Sequence, residues 1–337
     1  MTDLVFFTSP IGLGHATRDV AISQHLNNVS KKFISGSGAY KLFLEYGCDA
    51  VDLYTPPPFR IENGKLQSPL KWLFSYLSYY RECKKISSRT IEKEEPRLVV
   101  SDEDFASLVM AQKQKISTVL VTDILETGFA TGIGSAIEKM MNRGMKNIIE
   151  KCDLVLVPEN GQNSGNIVRT GPIVRDVTES REHLRKKYSF DKKTVVVSTG
   201  GTDLGKFLIE ETIQVFKKTG IDAELVIVSG PTLQMDQTPY RNLGFVPKMH
   251  EVIFASDLII SLAGKSTMDE SRHFGTPGIF IPIKGHFEQE ENAREVGYSS
   301  EDIFRLEELI VTKIDKKREP QPFEGAKIAA EMIKKFL

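Results

Sequence analysis

Continuous apolar runs recur along the first half of the chain at 4–8, 32–35, 50–53, 98–101, 117–122 and 154–157. Their apolar positions do not alternate with polar ones, which predicts parallel strands covered on both faces. Most of the intervening stretches have helical period, so the pattern predicts βαβ units with right-handed crossovers. The tract 168–176 breaks this pattern with Gly171-Pro172, and residues 171–176 read as a linker. Alternation then restarts, with strands predicted at 194–198, 225–228, 258–261 and 279–282. The expected fold is α/β, with two Rossmann-like, doubly wound parallel-sheet domains at 1–170 and 177–337. Such a plan places a ligand cleft at the carboxyl ends of the strands. The stretch 324–337 is helical in period, and the pattern leaves open whether it caps the second domain or crosses back to the first.

Composition narrows the picture. A length of 337 residues exceeds one ordinary core, which agrees with two domains. A net charge of −1 gives no general attraction to nucleic acid, so no nucleic-acid partner is expected. Cys48, Cys83 and Cys152 are odd in number and far apart, which argues for a reducing compartment and fits neither a disulfide framework nor a zinc site. The chain opens on a strand with no basic n-region before it, and no apolar run has bilayer-spanning length. A cytoplasmic location is expected, with a place at a membrane surface left open.

Four loops carry candidate chemistry. Gly12-Leu-Gly14-His15-Ala-Thr17 begins like a dinucleotide fingerprint, but Thr17 replaces the third glycine and no acid follows on the strand near Phe33, which argues against NAD or FAD. The loop from Gly200 to Lys206 has phosphate-loop spacing, but Phe207 stands where a hydroxyl must hold magnesium. Gly264-Lys265-Ser266 lacks the motif's first glycine, since Ile259 occupies its place. Asp102-Glu103-Asp104 resembles a metal-holding Asp-x-Asp element, a pattern too short to carry weight, and no metal or resident cofactor is expected.

What survives is a diphosphate site. Ser198, Thr199, Gly200 and Gly201 let backbone approach closely, because glycine has no Cβ. Ser261 ends a predicted strand, and Gly264, Lys265, Ser266 and Thr267 then open a helix, whose unpaired N–H groups and positive dipole end suit phosphate. Glu270 lies one turn further in, within reach of a sugar hydroxyl, and Glu288 and Gln289 open the next helix. In the first domain, His15 follows Gly14 after the first strand and is the candidate base. Asp102 is its candidate orienting partner, with Asp104 and Asp123 as rivals and a helix-capping role as its alternative. Arg18 either faces the diphosphate or is a solvated helix arginine.

These residues resemble the GT-B glycosyltransferases, in the branch shared by UDP-glycosyltransferases and the family 28-like enzyme that adds GlcNAc to the lipid-linked peptidoglycan precursor. The resemblance rests on Gly12-Leu-Gly14-His15 and on Gly264, Ser266, Thr267, Glu270, Gly275, Pro277, Pro282, Gln289 and Asn292. It implies a GT-B fold, a ribose held by Glu270, a diphosphate on the 264–267 helix start and the 198–201 loop, and sugar hydroxyls at Glu288 and Gln289. It also implies that backbone at Phe245 and Val246 reads the uracil edge. Ser261 and Lys265 depart from the residues common in the family, which leaves the sugar and the acceptor open. The spaced glutamate pair of retaining relatives is not found, so inversion is expected.

The expected function is transfer from a UDP-sugar, of the UDP-GlcNAc or UDP-glucose type, to an acceptor hydroxyl. The acceptor is unidentified; a lipid-linked one would suit the aromatic-then-basic stretch 72–89 and the Met- and Lys-bearing stretch 137–150. The same stretches also read as amphipathic helices packed on the sheet. A nucleotide-sugar hydrolase using water as acceptor is the alternative, and a non-enzymatic sensor is a third reading.

Overall fold

The computed structural model describes residues 2–57, 61–62, 65–66, 69–126, 133–199, 205–230, 233 and 239–337, with side chains for all of these but 61–62, 65–66, 69–74 and 133–137. The chain divides into two compact units. The first comprises Met1–Pro58, Pro69–Ile173 and Phe323–Leu337, and the second comprises Phe59–Ser68 and Val174–Pro322.

The first unit is built on a seven-stranded sheet. Its spatial order is Ala50–Asp52, Lys31–Ser35, Leu4–Thr8, Leu98–Asp102, Ser117–Val121, Leu154–Val157 and Ile167–Arg169. Every pairing is parallel. Leu4, Val5, Phe6 and Phe7 are fully buried, as expected of a central strand covered on both faces. The helix Gly14–Gln24 follows the first strand and contacts the last helix, Gly325–Lys334, which therefore belongs to the first unit. Chain order reverses between Leu4–Thr8 and Leu98–Asp102. Open α/β sheets bind ligands beyond the strand ends at such a reversal.

The second unit has a five-stranded parallel sheet in the order Arg241–Asn242, Glu224–Val228, Thr194–Ser198, Leu258–Leu262 and Gly278–Ile281. Its core joins Val195, Val196, Val197, Val226, Ile259 and Ile260 to helix residues such as Leu208, Ile209 and Ile253. The reversal here falls between Thr194–Ser198 and Leu258–Leu262, where Ser198 pairs with Ser261. Residues 61–62 and 65–66 form a small antiparallel hairpin.

The ten strands expected from the apolar runs are all present, each within a residue at either end. Ile167–Arg169, like the two-residue strands Ile61–Glu62, Lys65–Leu66 and Arg241–Asn242, was not anticipated. It falls at the start of the tract that Gly171-Pro172 marks as broken, and it is an edge strand with half-buried residues, so its apolar signal is weak.

Candidate active site

In the first unit, Gly12 makes the turn after the first strand with φ 81°, a left-handed value that glycine adopts without strain. The helix that follows presents Gly14, His15 and Arg18 in its first turns. One strand away, Asp102 ends Leu98–Asp102 and is fully buried. The His15 ring nitrogen Nδ1 lies 2.8 Å from Asp102 Oδ1. Arg18 grips the same carboxylate with both arms, donating from Nε to Oδ2 at 2.8 Å and from Nη2 to Oδ1 at 2.6 Å. Arg18 is thus buried rather than a solvated helix arginine, and its guanidinium neutralises the buried partner of His15.

The rival partners bond other groups. Asp104 accepts from Ala106 N–H and from the Tyr54 hydroxyl, at 3.2 Å and 2.6 Å, and caps the helix Phe105–Lys113. The helix-capping alternative considered for Asp102 therefore belongs to Asp104. Asp123 Oδ2 sits 3.5 Å from Arg18 Nη1. Glu103, between the two aspartates, turns its Oε2 to within 3.6 Å of His15 Nε2 while Thr122 Oγ1 donates to its Oε1 at 3.0 Å. The three consecutive carboxylates of the Asp-x-Asp-like element thus serve three different sets of partners.

Charge follows from this arrangement. Burial alone would push the His15 ring down, but Glu103 and then Asp102 outweigh it, and the ring is raised to about 9. Burial pushes Asp102 up, but Arg18 and His15 more than offset it and hold the carboxyl below the ordinary range. Burial and a hydrogen bond donated to the Asp123 carboxylate raise Glu103 to about 8, against the pull of His15. Asp19, on the same helix, is fully buried and accepts from the Thr8 hydroxyl at 2.5 Å. Burial, aided by the charge of Asp102, raises its carboxyl well above the ordinary range.

In the second unit the helix Lys265–Phe274 starts at Gly264 with no side-chain cap. Its first-turn N–H groups therefore receive nothing from the N-cap side chain. A Cβ at Gly264 would meet nothing within 4 Å among the described residues. Asn292 is buried and donates to the Ala263 carbonyl at 3.2 Å, fixing the turn that leads into this helix. Ser266 and Thr267 are half-buried in the first turn. Lys265 lies back along the helix, its Nζ 3.2 Å from Asp269 Oδ1.

The other donor-side candidates are distributed around that turn. Ser198 and Ser261 are paired neighbours at the two central strand ends. Thr199 donates its hydroxyl to the Ser229 carbonyl at 3.0 Å. Gly200 and Gly201 lie outside the described residues. Glu288 is exposed at the start of Phe287–Glu295, and Gln289 spends its Oε1 on the Ile283 N–H at 3.1 Å. Phe245 and Val246 are half-buried after Gly244, whose φ is 65°.

Sequence reasoning missed Arg175. It lies in the tract read as linker, yet it is 2% exposed. Its Nε donates to Glu270 Oε1 at 2.8 Å, its Nη2 lies 2.8 Å from the same oxygen, and its Nη1 donates to the Pro247 carbonyl at 3.0 Å. One guanidinium thereby links the expected ribose acid to the turn carrying Phe245 and Val246. The available signal was the apolar Pro172-Ile173-Val174 before it, a run that a loose linker would not need.

Comparison with known proteins shows what the chain is similar to. Residues 194–335 match the glycosyltransferase family 28 C-terminal domain. An uncharacterized glycosyltransferase of Methanopyrus kandleri is 27% identical over 62% of this chain and 63% of its own length, just under two thirds of that relative. A UDP-N-acetylglucosamine--N-acetylmuramyl-(pentapeptide) pyrophosphoryl-undecaprenol N-acetylglucosamine transferase of Thermosipho melanesiensis is 28% identical over 45% of this chain and 50% of that one. The crystal structure of the glycotransferase of kitacinnamycin superposes with a TM-score of 0.68 over 99% of each chain at 13% identity, a likeness of fold. The chain therefore has the GT-B fold, and its residues 194–335 resemble a glycosyltransferase family 28 C-terminal domain.

Proposed function

We propose that the chain transfers a sugar, with inversion, from a UDP-sugar of the UDP-GlcNAc or UDP-glucose type to an acceptor hydroxyl. The observation that carries this reading is the hydrogen bond of 2.8 Å between His15 and the buried Asp102. A carboxylate on one imidazole nitrogen fixes the ring and leaves the other to take a proton. The acceptor oxygen attacks the anomeric carbon as its proton passes to His15 Nε2. The bond from that carbon to the diphosphate oxygen breaks, and the nucleoside diphosphate leaves with the electron pair. The uncapped helix start at Gly264 suits the charge that develops on the departing phosphate. Glu270, steadied by Arg175, is the ribose acceptor in this reading, and Glu288 and Gln289 meet the sugar hydroxyls.

The curated transferase from Thermosipho supports UDP-GlcNAc as a donor. Met140 and Met141 are exposed beside the exposed Lys139, Arg143 and Lys146 on Ile133–Ile149, which supports an acceptor presented at an anionic membrane surface. Among the described residues no helix is long and apolar enough to cross a membrane.

The test is a panel of UDP- and dTDP-sugars, read by nucleotide release with and without lipid and sugar acceptors. His15→Ala is expected to lower transfer by about 10²–10⁴-fold while UDP affinity stays near wild type. Normal turnover by the variant would remove His15 as the base. Equal nucleotide release without acceptor would turn the reading to a nucleotide-sugar hydrolase.

A further inference from the structure

Glu103 belongs to the site but has no part in the chemistry above. Its backbone sits at φ 55°, in the left-handed region where glycine is at ease and a glutamate is strained. The residue is nonetheless firmly placed. It bridges to Thr8, its N–H donates to the Val121 carbonyl at 3.3 Å, and Thr122 Oγ1 donates to its Oε1 at 3.0 Å. Its Oε2 is left beside His15 Nε2, 3.6 Å away, on the side of the ring opposite Asp102. A strained position fixed from several sides and aimed at a reactive nitrogen is a reason to look for function.

The distance has chemical meaning. An acceptor oxygen about 2.8 Å from Nε2 has Glu103 Oε2 as its neighbour. Adjacent hydroxyls on a sugar ring or polyol lie about a hydrogen-bond length apart. One can sit on Nε2 while the next donates to Oε2, and the 3.6 Å between those two protein atoms accommodates the pair. An isolated hydroxyl fills the first place and leaves the second empty.

We propose that Glu103 selects the acceptor by accepting a hydrogen bond from the hydroxyl adjacent to the one that is glycosylated, so that the acceptor class is a vicinal diol, as in a sugar or polyol. This inference rests on the transfer reading given above. The charged groups acting on His15 are Asp102, Glu103 and Arg18, with Asp123 hydrogen-bonded to Glu103 and Asp19 behind Asp102.

The experiment compares vicinal cyclohexanediol with cyclohexanol as acceptors, with UDP-GlcNAc and UDP-glucose as donors. The product glycoside is quantified by mass spectrometry and the pH profile recorded for wild type, Glu103→Ala and Glu103→Gln. Wild type is expected to favour the diol by about tenfold or more, mainly through the acceptor KM. Glu103→Ala is expected to lose that preference, and Glu103→Gln to keep most of it, because an amide oxygen still accepts. Both variants are expected to shift the rising pH limb downward, since a carboxylate next to His15 is gone. A diol preference retained in Glu103→Ala, or absent from wild type that does transfer, would overturn the role of Glu103 alone. Should Glu103→Ala fail to fold, a diol preference retained in Glu103→Leu would overturn it equally. Wild type that forms glycoside with neither acceptor and releases nucleotide from neither donor would overturn the transfer reading, and this inference with it.

Discussion

At the scale of residues, the site in the first unit is an electrostatic compromise around one imidazole. Arg18 offsets Asp102, yet Glu103 and Asp102 still raise His15 to about 9. A base must be neutral to accept a proton, and a raised pKa means that the neutral form accumulates only as pH climbs toward that value. The kcat/KM for transfer is therefore expected to rise about tenfold per unit through neutrality and to level off near pH 9, as read from initial rates across a buffer series. A plateau already reached at pH 6 would show a ring free of these carboxylates. His15 and Asp102 were legible in the sequence because each follows or ends an unmistakable central strand. Glu103 was not, because its importance lies in a left-handed turn that aims the side chain, and no spacing rule announces such a turn. Arg175 was hidden for a related reason: a Gly-Pro pair nearby reads as a linker, and only the fold shows a buried guanidinium behind it.

At the scale of elements, strand ends and helix starts position the candidate groups. The apolar runs fixed ten strands closely, because buried parallel strands are written as continuous β-branched and aromatic stretches. Short edge strands escaped, since Ile167–Arg169 and Arg241–Asn242 bury too little to need such a run. The Gly264 helix start was also legible, as small residues between a strand and a helical period. What the sequence could not show was how that start is supported. Asn292 holds the turn and Arg175 joins Glu270 to the Pro247 carbonyl. Removing the cation from this buried pair leaves the Glu270 carboxylate uncompensated. Arg175→Met is expected to destabilise the second unit by about 3–5 kcal/mol in denaturant unfolding. A loss well under 1 kcal/mol would mean that the carboxylate finds another partner or water.

At the scale of the whole molecule, the chain folds as two parallel-sheet units, and its last helix belongs to the first of them. Gly325–Lys334 buries Ala326, Ala329, Ala330 and Ile333 and contacts the helix that carries His15 and Arg18. Helical period was readable over this stretch, but its destination was not, because an amphipathic face does not say which surface it covers. Ile333→Ala is expected to cost the first unit about 2–5 kcal/mol, measured by unfolding of that unit. A neutral outcome would show that the last helix is not integral to it.

The central claim is that an activated sugar rests its diphosphate on the uncapped helix start at Gly264, while His15 acts on the acceptor. Titration calorimetry of UDP against wild type, Gly264→Val and His15→Ala tests it most directly. Gly264 has φ −80°, and a Cβ built on it meets nothing within 4 Å among the described residues, so the backbone there accepts a side chain. Gly264→Val is expected to weaken UDP binding by about tenfold or more, with His15→Ala binding as wild type does. Undiminished affinity in Gly264→Val, with wild-type folding, would contradict the account.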